Sequence, residues 1–337
     1  MELKEEFISL AHGGGGRLYQ ELVHDVFLPA FDNAYLRQLN DSAICPVSAS
    51  ALAMTTDGYV VHPRFFPGGD IGRLAVCGTV NDLCMSGAKP VYLSVSMILE
   101  AGLPISELRL ICSSMAQAAK EAGVFLVTGD TKVVEKGRGD GIYISTAGVG
   151  LFPDGKDAYP QKIQAGDRIL ISGEIGNHGL CILAAREELG FDPAIESDVA
   201  PLHSLAEALQ EGLPDIHAMR DPTRGGVASV VNEWAGDGLS IEIDEENLPV
   251  SSAVAAASNI LGMDPLYVAN EGKLLLALPE KDCEAALKIF HAHPLGKNAA
   301  CIGRVIEDGR ALSCVRSPYG TQRLLDLPYA EQLPRIC

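Results

Sequence analysis

Residues 153–167 read PDGKDAYPQKIQAGD. The stretch is polar, interrupted by Pro and Gly, and closes on a tight Ala-Gly-Asp turn that launches the apolar run RILISG. Such a composition shift between two apolar, patterned halves marks a linker. It divides the chain into an N-terminal unit over 1–155 and a C-terminal unit over 156–325, with a short tail over 326–337.

On the N-terminal side, strands are expected at 50–56, 90–99, 124–129 and 141–152. Between the second and third, Leu108, Ile111, Met115, Ala118 and Ala122 recur at helical spacing behind Ser106 as a cap, and Gly123 stops the helix. A second helix carries IGRLAVCGTVNDLCMSG after the Pro67, Gly68, Gly69 break. On the C-terminal side, strands such as LSIEID, KLLLALP and ACIGRVIE alternate with helices such as HGLCILAAREELG, GGVASVVNEWAG and KDCEAALKIFHAH. The fold class is therefore α+β, a mixed α/β chain in two domains. Neither G-x-G-x-x-G nor G-x-x-x-x-G-K-[ST] occurs, so a Rossmann or Walker phosphate site is not supported.

Acidic residues outnumber basic ones 44 to 26 over 337 residues, a formal charge of −18. That excess repels a phosphate backbone or an anionic membrane, so no nucleic acid and no membrane partner is expected. No apolar run reaches the length of a membrane span, and the acidic start is unlike a signal peptide, which predicts a cytoplasmic protein. Nine cysteines without a Cys-x-x-Cys pair argue against a disulfide framework and a structural zinc site. Cys112 and Cys181 fall in apolar helical patterns and read as buried.

Asp41, Asp57, Asp82, Asp130 and Asp221 stand where strands end or helices begin. Each alone is an ordinary cap or turn former. Converging from several loops, they are what Mg²⁺ requires, a hard cation that shares its shell with substrate phosphates. In RDPTRGG, Asp221 can cap a helix opening at Pro222, Arg224 adds a cation, and Gly225 and Gly226 admit a ligand to the backbone. The run AHGGGGR, ending at Arg17, reads as a mobile lid or a loose terminal segment. Lys132 and Glu271 each follow an apolar segment closely, where burial shifts a pKa enough for proton transfer. His12, His178, His291 and His293 are possible ligands, although His291 and His293 more simply end a helix.

Taken together, FFPGGDIGRLAVCGTVNDLCMSGAKP (65–90), VTGDTKVV (127–134), DPTRGGV (221–227), ANEGKL (269–274), HPLGKNAACIG (293–303) and the final PRIC resemble the HypE family of hydrogenase maturation proteins. That family belongs to the PurM-like superfamily of aminoimidazole ribonucleotide synthetase and selenophosphate synthetase. The resemblance runs from about residue 8 to the last residue.

It implies an N-terminal domain that forms a β-barrel with its copy in a homodimer, a C-terminal α/β domain, and ATP with Mg²⁺ between them. It further implies that the carbamoyltransferase HypF loads a carbamoyl group onto Cys337 as a thiocarboxamide. ATP-driven dehydration then gives a thiocyanate, and the cyanide passes through the HypC–HypD complex to the iron of a [NiFe] hydrogenase. By the same resemblance Asp41, Asp57, Asp82 and Asp221 hold metal and phosphate. Asp130, Arg224, Gly225 and Gly226 belong to the nucleotide pocket, and Lys132 and Glu271, with Asn270 nearby, deprotonate the thiocarboxamide.

Two departures from the family pattern stand out: Asn177 replaces an expected Asp, and the N-terminal glycine run lacks the usual Ser. A selenophosphate synthetase needs a Cys or selenocysteine near that run, and the chain has no Cys before Cys45. A non-catalytic scaffold that docks through its terminal thiol is the reading from a different class. A tail of ten residues extends about 30 Å, so LPRIC is expected to behave as a swinging arm.

Overall fold

The computed structural model describes residues 6–13, 17–38, 43, 45, 47–48, 51–152, 158–327, 333 and 335–337. Asp41 and the glycine run at 14–16 lie outside them. The first half contains α1 (Arg17–Leu22), α2 (Leu28–Phe31), β1 (Leu52–Tyr59), β2 (Phe65–Phe66), β3 (Gly69–Asp70), α3 (Ile71–Met85), β4 (Lys89–Glu100), α4 (Ile105–Ala122), β5 (Phe125–Val134) and β6 (Ile142–Leu151). The second contains β7 (Asp167–Ile171), α5 (Asn177–Arg186), α6 (His203–Gly212), β8 (Ala218–Arg220), α7 (Gly226–Trp234), β9 (Leu239–Asp244), α8 (Ser252–Leu261), β10 (Leu275–Pro279), α9 (Cys283–Ala292), β11 (Ala300–Glu307), β12 (Ser313–Arg316) and β13 (Gln322–Leu324).

Strands of the first half form a sheet in the order β1-β6-β4-β5, with β4 and β5 parallel and the other pairs antiparallel. Helices α3 and α4 cover one face. Asp70 starts α3 by accepting from the amides of Gly72 and Arg73 at 2.7 and 3.0 Å, which satisfies two donors left open at a helix start. The expected apolar stripe of α4 is buried, from Leu108 to Ala122, and Gly123 ends the helix at φ 68°. Its start differs from expectation: Pro104 is the N-cap and Ser106 lies inside the first turn, because proline supplies an extended residue there without leaving an amide unpaired. On the opposite face, one row across the sheet carries Met54, Val149, Tyr92 and Phe125. Met54 and Phe125 are exposed, and Tyr35 stands edge-on to Tyr92 and Phe125 at 5.2 and 5.7 Å.

The second half builds a seven-stranded sheet in the order β13-β12-β9-β11-β7-β10-β8. Alternation along each strand assigns its two faces. Ile169, Ile171, Ile241, Ile243, Leu275 and Ala277 pack with Val227, Val231 and Trp234 of α7. Leu170, Leu276 and Leu278 point the other way, into the core shared with α5, α6, α9 and the first half. Leu276 and Leu278 are fully buried, each contributing about 1.5–3 kcal/mol. The three-residue strands β8 and β13 were not expected, since three residues are too few to show a period. No helix among the described residues is long and apolar enough to cross a membrane.

Candidate active site

The seam between the halves gathers carboxylates from four segments. On edge strand β1, Thr55 and Asp57 alternate on one side, and Thr55 Oγ1 donates to Asp82 Oδ2 of α3 at 2.8 Å. The neighbouring residue, Asn81, crosses the seam. Its Nδ2 donates to the carbonyls of Ala200 and Glu271 at 3.1 and 3.2 Å, and its Oδ1 accepts from Leu202 N at 2.8 Å. Its burial is nearly complete, at 1% exposure.

From the second half comes the loop after β8. Gly225 (φ 75°) is the N-cap of α7, so Asp221 does not cap a helix at Pro222 as the sequence suggested. The positive φ angles of Gly225 and Gly226 break the helical path. Meanwhile Asn270 pins the loop from behind, its backbone and side-chain N–H groups both donating to the Pro222 carbonyl at 3.0 and 3.1 Å. Asn270 Oδ1 accepts from Gly176 N at 2.8 Å, so this residue is a brace inside the loop junction. A Cβ on Gly226 would lie 2.6 Å from the carbonyls of Leu266 and Val268, which requires glycine there. Arg224 reaches Asp57 across the seam at 3.4 Å.

Mutual repulsion is the electrostatic signature of the cluster. Burial, then the charges of Asp82 and Asp57, push Asp221 up to about 7. Asp82 is raised by burial and by Asp57, against the hydrogen bond from Thr55 and the charges of Arg220 and Arg224. Glu271, 3% exposed, is driven well above the carboxylate range by burial and by Asp221, Asp198, Asp57 and Asp82. Carboxylates that raise one another's proton affinity suit a hard cation, which would relieve the repulsion. Among the described residues no group of three or more His, Cys, Asp or Glu side chains is placed to hold a metal ion, so Asp57, Asp82 and Asp221 do not by themselves complete the expected ligand set. An open set of oxygens is what a cation completing its shell with phosphates and water needs.

Sequence reasoning missed the partner of Glu271. Asp198 Oδ1 accepts from Glu271 N at 3.2 Å, and Asp198 Oδ2 pairs with Lys273 Nζ at 3.0 Å, both side chains being largely buried. Burial alone would raise Asp198, but Lys273, His178 and the Glu271 amide outweigh it and hold the carboxyl below its usual range. Gly272 between them has no room for a Cβ against the Asp198 carbonyl. Lys273 stood in the quoted ANEGKL motif, and nothing in the polar run before it marked Asp198 as its counterion.

Asp130 and Lys132 do not join this cluster within one chain. They lie on β5, at the sheet edge opposite β1, where the Lys132 ammonium bonds both Asp130 oxygens at 2.7 Å in exposed positions. Three strand spacings separate the two edges, about 14 Å. His291 bonds Ala299 O and His12 accepts from Ser9 N, both local contacts, while His293 meets Ser204 Oγ and so ties the end of α9 to α6. Asn177 opens α5, its Oδ1 buried and without a hydrogen-bond partner among the described residues.

The tail is docked. Val60 N donates to Cys337 O at 3.0 Å, His62 N to Arg335 O at 3.2 Å, and Arg335 pairs with Asp140 at 2.7 Å. Ile336 is 3% exposed and Cys337 is half-buried. Val60 follows Tyr59, whose buried hydroxyl meets Thr79 at 3.2 Å and feels the charges of Asp57, Glu271 and Asp82. The terminal residue therefore rests on the continuation of the strand that supplies Thr55 and Asp57.

Two family models match, AIR synthase related protein N-terminal domain over residues 39–152 and C-terminal domain over 164–313. Carbamoyl dehydratase HypE of Cupriavidus necator is 49% identical, covering 100% of this chain and 97% of the relative. Carbamoyl dehydratase HypE of Escherichia coli K12 is 47% identical over 98% and 99%. The chain belongs to the HypE family. Among solved HypE structures, one in complex with ATP superposes with a TM-score of 0.93 at 46% identity, covering 97% of this chain and 99% of that one. Another, a HypE–HypF complex, gives 0.80 at 47% identity over 93% and 100%. Thiamine monophosphate kinase of Aquifex aeolicus shares the fold at 22% identity, with a TM-score of 0.58. The PurM-like architecture of the HypE family is thus that of this chain.

Proposed function

We propose that the chain is an ATP-dependent carbamoyl dehydratase of hydrogenase maturation whose substrate is carried on Cys337. The observation that carries this reading is the docking of Cys337 beside β1, next to a seam of mutually repelling carboxylates. HypE relatives named carbamoyl dehydratase and the solved HypE complex with ATP support it.

In the proposed reaction the thiocarboxamide R–S–C(=O)NH₂ and ATP give the thiocyanate R–S–C≡N, ADP and inorganic phosphate. The amide oxygen leaves as part of the phosphate, the C–O bond is replaced by C≡N, and both nitrogen protons are lost. Bound Mg²⁺–ATP supplies the phosphoryl group and the charge neutralisation that make an amide oxygen able to leave. Asp57, Asp82 and Asp221 would hold the cation, with Asp41 as a further candidate outside the described residues. Arg224, Gly225 and Gly226 would form the anion-binding turn, and Asn270 fixes that turn. Glu271, protonated while its acidic surroundings are uncompensated, would take a nitrogen proton once a bound cation relieves that repulsion and leaves it ionised.

Asp130 and Lys132 reach such a site only from the other edge of a sheet. A homodimer pairing the sheet face that carries Met54, Val149, Tyr92 and Phe125 with its copy, as a β-barrel, would place them there. HypF is the proposed donor of the carbamoyl group, by analogy with the HypE–HypF complex, and a HypC–HypD complex the proposed acceptor of the cyanide.

Enzymatic carbamoylation followed by Mg²⁺–ATP tests the reading. The peptide carrying Cys337 should lose one water by mass, and Cys337→Ala should abolish the product while retaining nucleotide binding. Persistence of the carbamoyl adduct would overturn it and leave a scaffold that uses its terminal thiol for docking.

A further inference from the structure

Helix α5 runs beside the tail and meets it at both ends. Near its start, His178 is fully buried, with Nε2 2.7 Å from Ile336 O and Nδ1 2.7 Å from Ser197 Oγ. A carbonyl can only accept, so Nε2 carries the proton and Nδ1 accepts from the serine hydroxyl. Burial holds the His178 pKa below its usual value, against the charge of Asp198 and the Ile336 hydrogen bond, so the ring is neutral near pH 7. At the last residue of α5, Arg186 Nη2 donates to Arg335 O at 2.7 Å and its Nε to His62 O at 3.1 Å. Between these contacts the helix is notched. A Cβ on Gly179 would lie 2.6 Å from Val268 Cγ1 and 3.2 Å from Leu333 Cδ1, so glycine lets Leu333 settle onto the helix.

Three successive carbonyls of the tail, those of Arg335, Ile336 and Cys337, therefore each meet a donor fixed by other elements. A slip by one residue would break these bonds and expel Ile336 from the core. Contacts of this kind set register, which is the requirement on a segment that must bring one sulfur to one place.

We propose that His178 and Arg186 are positioning residues that clamp the tail in the register that brings Cys337 to the seam, with Ser197 holding His178 in its donating tautomer. The clamp deepens the carbamoyl dehydratase reading and rests on it for its purpose. Its physical content, retention of the tail, stands apart from that chemistry.

The test uses the full chain. Iodoacetamide is added under native conditions, and alkylation at each cysteine is followed by peptide mass, with Cys283 as internal control. His178→Phe and Arg186→Met should each speed alkylation of Cys337 about tenfold, as expected for loss of one well-formed hydrogen bond, and leave Cys283 unchanged. His178→Gln, which retains an N–H donor, and Arg186→Lys should restore most of the protection. Dehydration of the carbamoylated chain should slow in parallel, with the KM for ATP unchanged. If His178→Phe fails to fold, Arg186→Met and Ser197→Ala carry the test. Alkylation within twofold of wild type in folded variants would overturn the clamp. Faster alkylation in a protein whose wild type shows no dehydration would uphold the clamp and defeat the proposed function.

Discussion

The side chain of Asn81 on α3 donates to the carbonyl of Glu271 at 3.2 Å while accepting from Leu202 at 2.8 Å, so one buried amide fastens the two halves of the molecule at the residue proposed to move a proton. Asn81→Leu keeps the volume and removes every one of these bonds. It leaves the Leu202 amide and the Glu271 and Ala200 carbonyls unpaired, at a cost of about 1–3 kcal/mol for each buried group. Thermal unfolding should show a Tm lower by several degrees, and residual folded protein should bind ATP more weakly.

The pH dependence follows from the seam. Asp221 is raised to about 7 by burial and by Asp82 and Asp57, and burial raises Glu271 and Asp82 in the same direction. The folded protein therefore retains protons that the unfolded chain has released above about pH 4. Stability of the nucleotide-free protein should fall as pH rises from about 4 through about 7. Calorimetry at pH 5 and 7.5 should give the lower Tm at 7.5. Asp221→Asn should flatten that slope and raise the Tm at pH 7.5, while weakening Mg²⁺–ATP binding. A Tm that climbs between the two values would contradict the buried-carboxylate account.

Gly272→Ala places a methyl group against the Asp198 carbonyl with no flexible atom to yield. The backbone would have to shift and part the Asp198–Lys273 ion pair, at a cost above about 3 kcal/mol. Expression of this variant as insoluble protein, or a collapse of its denaturation midpoint, is the expected outcome. A Gly123→Ala control meets no neighbouring atom and suffers only its left-handed φ of 68°, so it should lose about 1 kcal/mol.

Lys132 sits at the sheet edge away from the seam, so in the proposed dimer it would meet the substrate together with Glu271 of the partner subunit. Lys132→Met and Glu271→Gln should each be inactive alone. Co-folded in equal amounts, they should recover about a quarter of wild-type activity, since half of the random dimers carry one intact site. No recovery would assign Lys132 a role confined to its exposed pair with Asp130.

The halves of the fold were legible because their signals are local. The stripe from Leu108 to Ala122 and the alternating strands carry their periods within a dozen residues. Asp57, Asp82 and Asp221 are legible as a set because the elements that carry them meet at the seam, although Asp57 lies inside β1 and Asp82 in the last turns of α3, with Asp221 alone just past a strand end. Asp198 is not, because its meaning depends on Lys273 arriving 75 positions later beside a glycine too crowded for any side chain. The distance between Asp57 and Lys132 was hidden for another reason. Chain order does not reveal that β6 and β4 insert between β1 and β5. The tail, read by composition, looked like a free arm, yet its carbonyls find donors on β1's continuation and on α5.

The bond from Arg335 to the Val60 carbonyl joins positions 275 apart in sequence. Such a contact closes nearly the whole chain into a loop and is among the last a folding polypeptide can make. During synthesis the strand that receives the tail is built 275 residues before its occupant. The seat of the thiol proposed to accept the carbamoyl group therefore rests on a contact that neither half can make by folding locally.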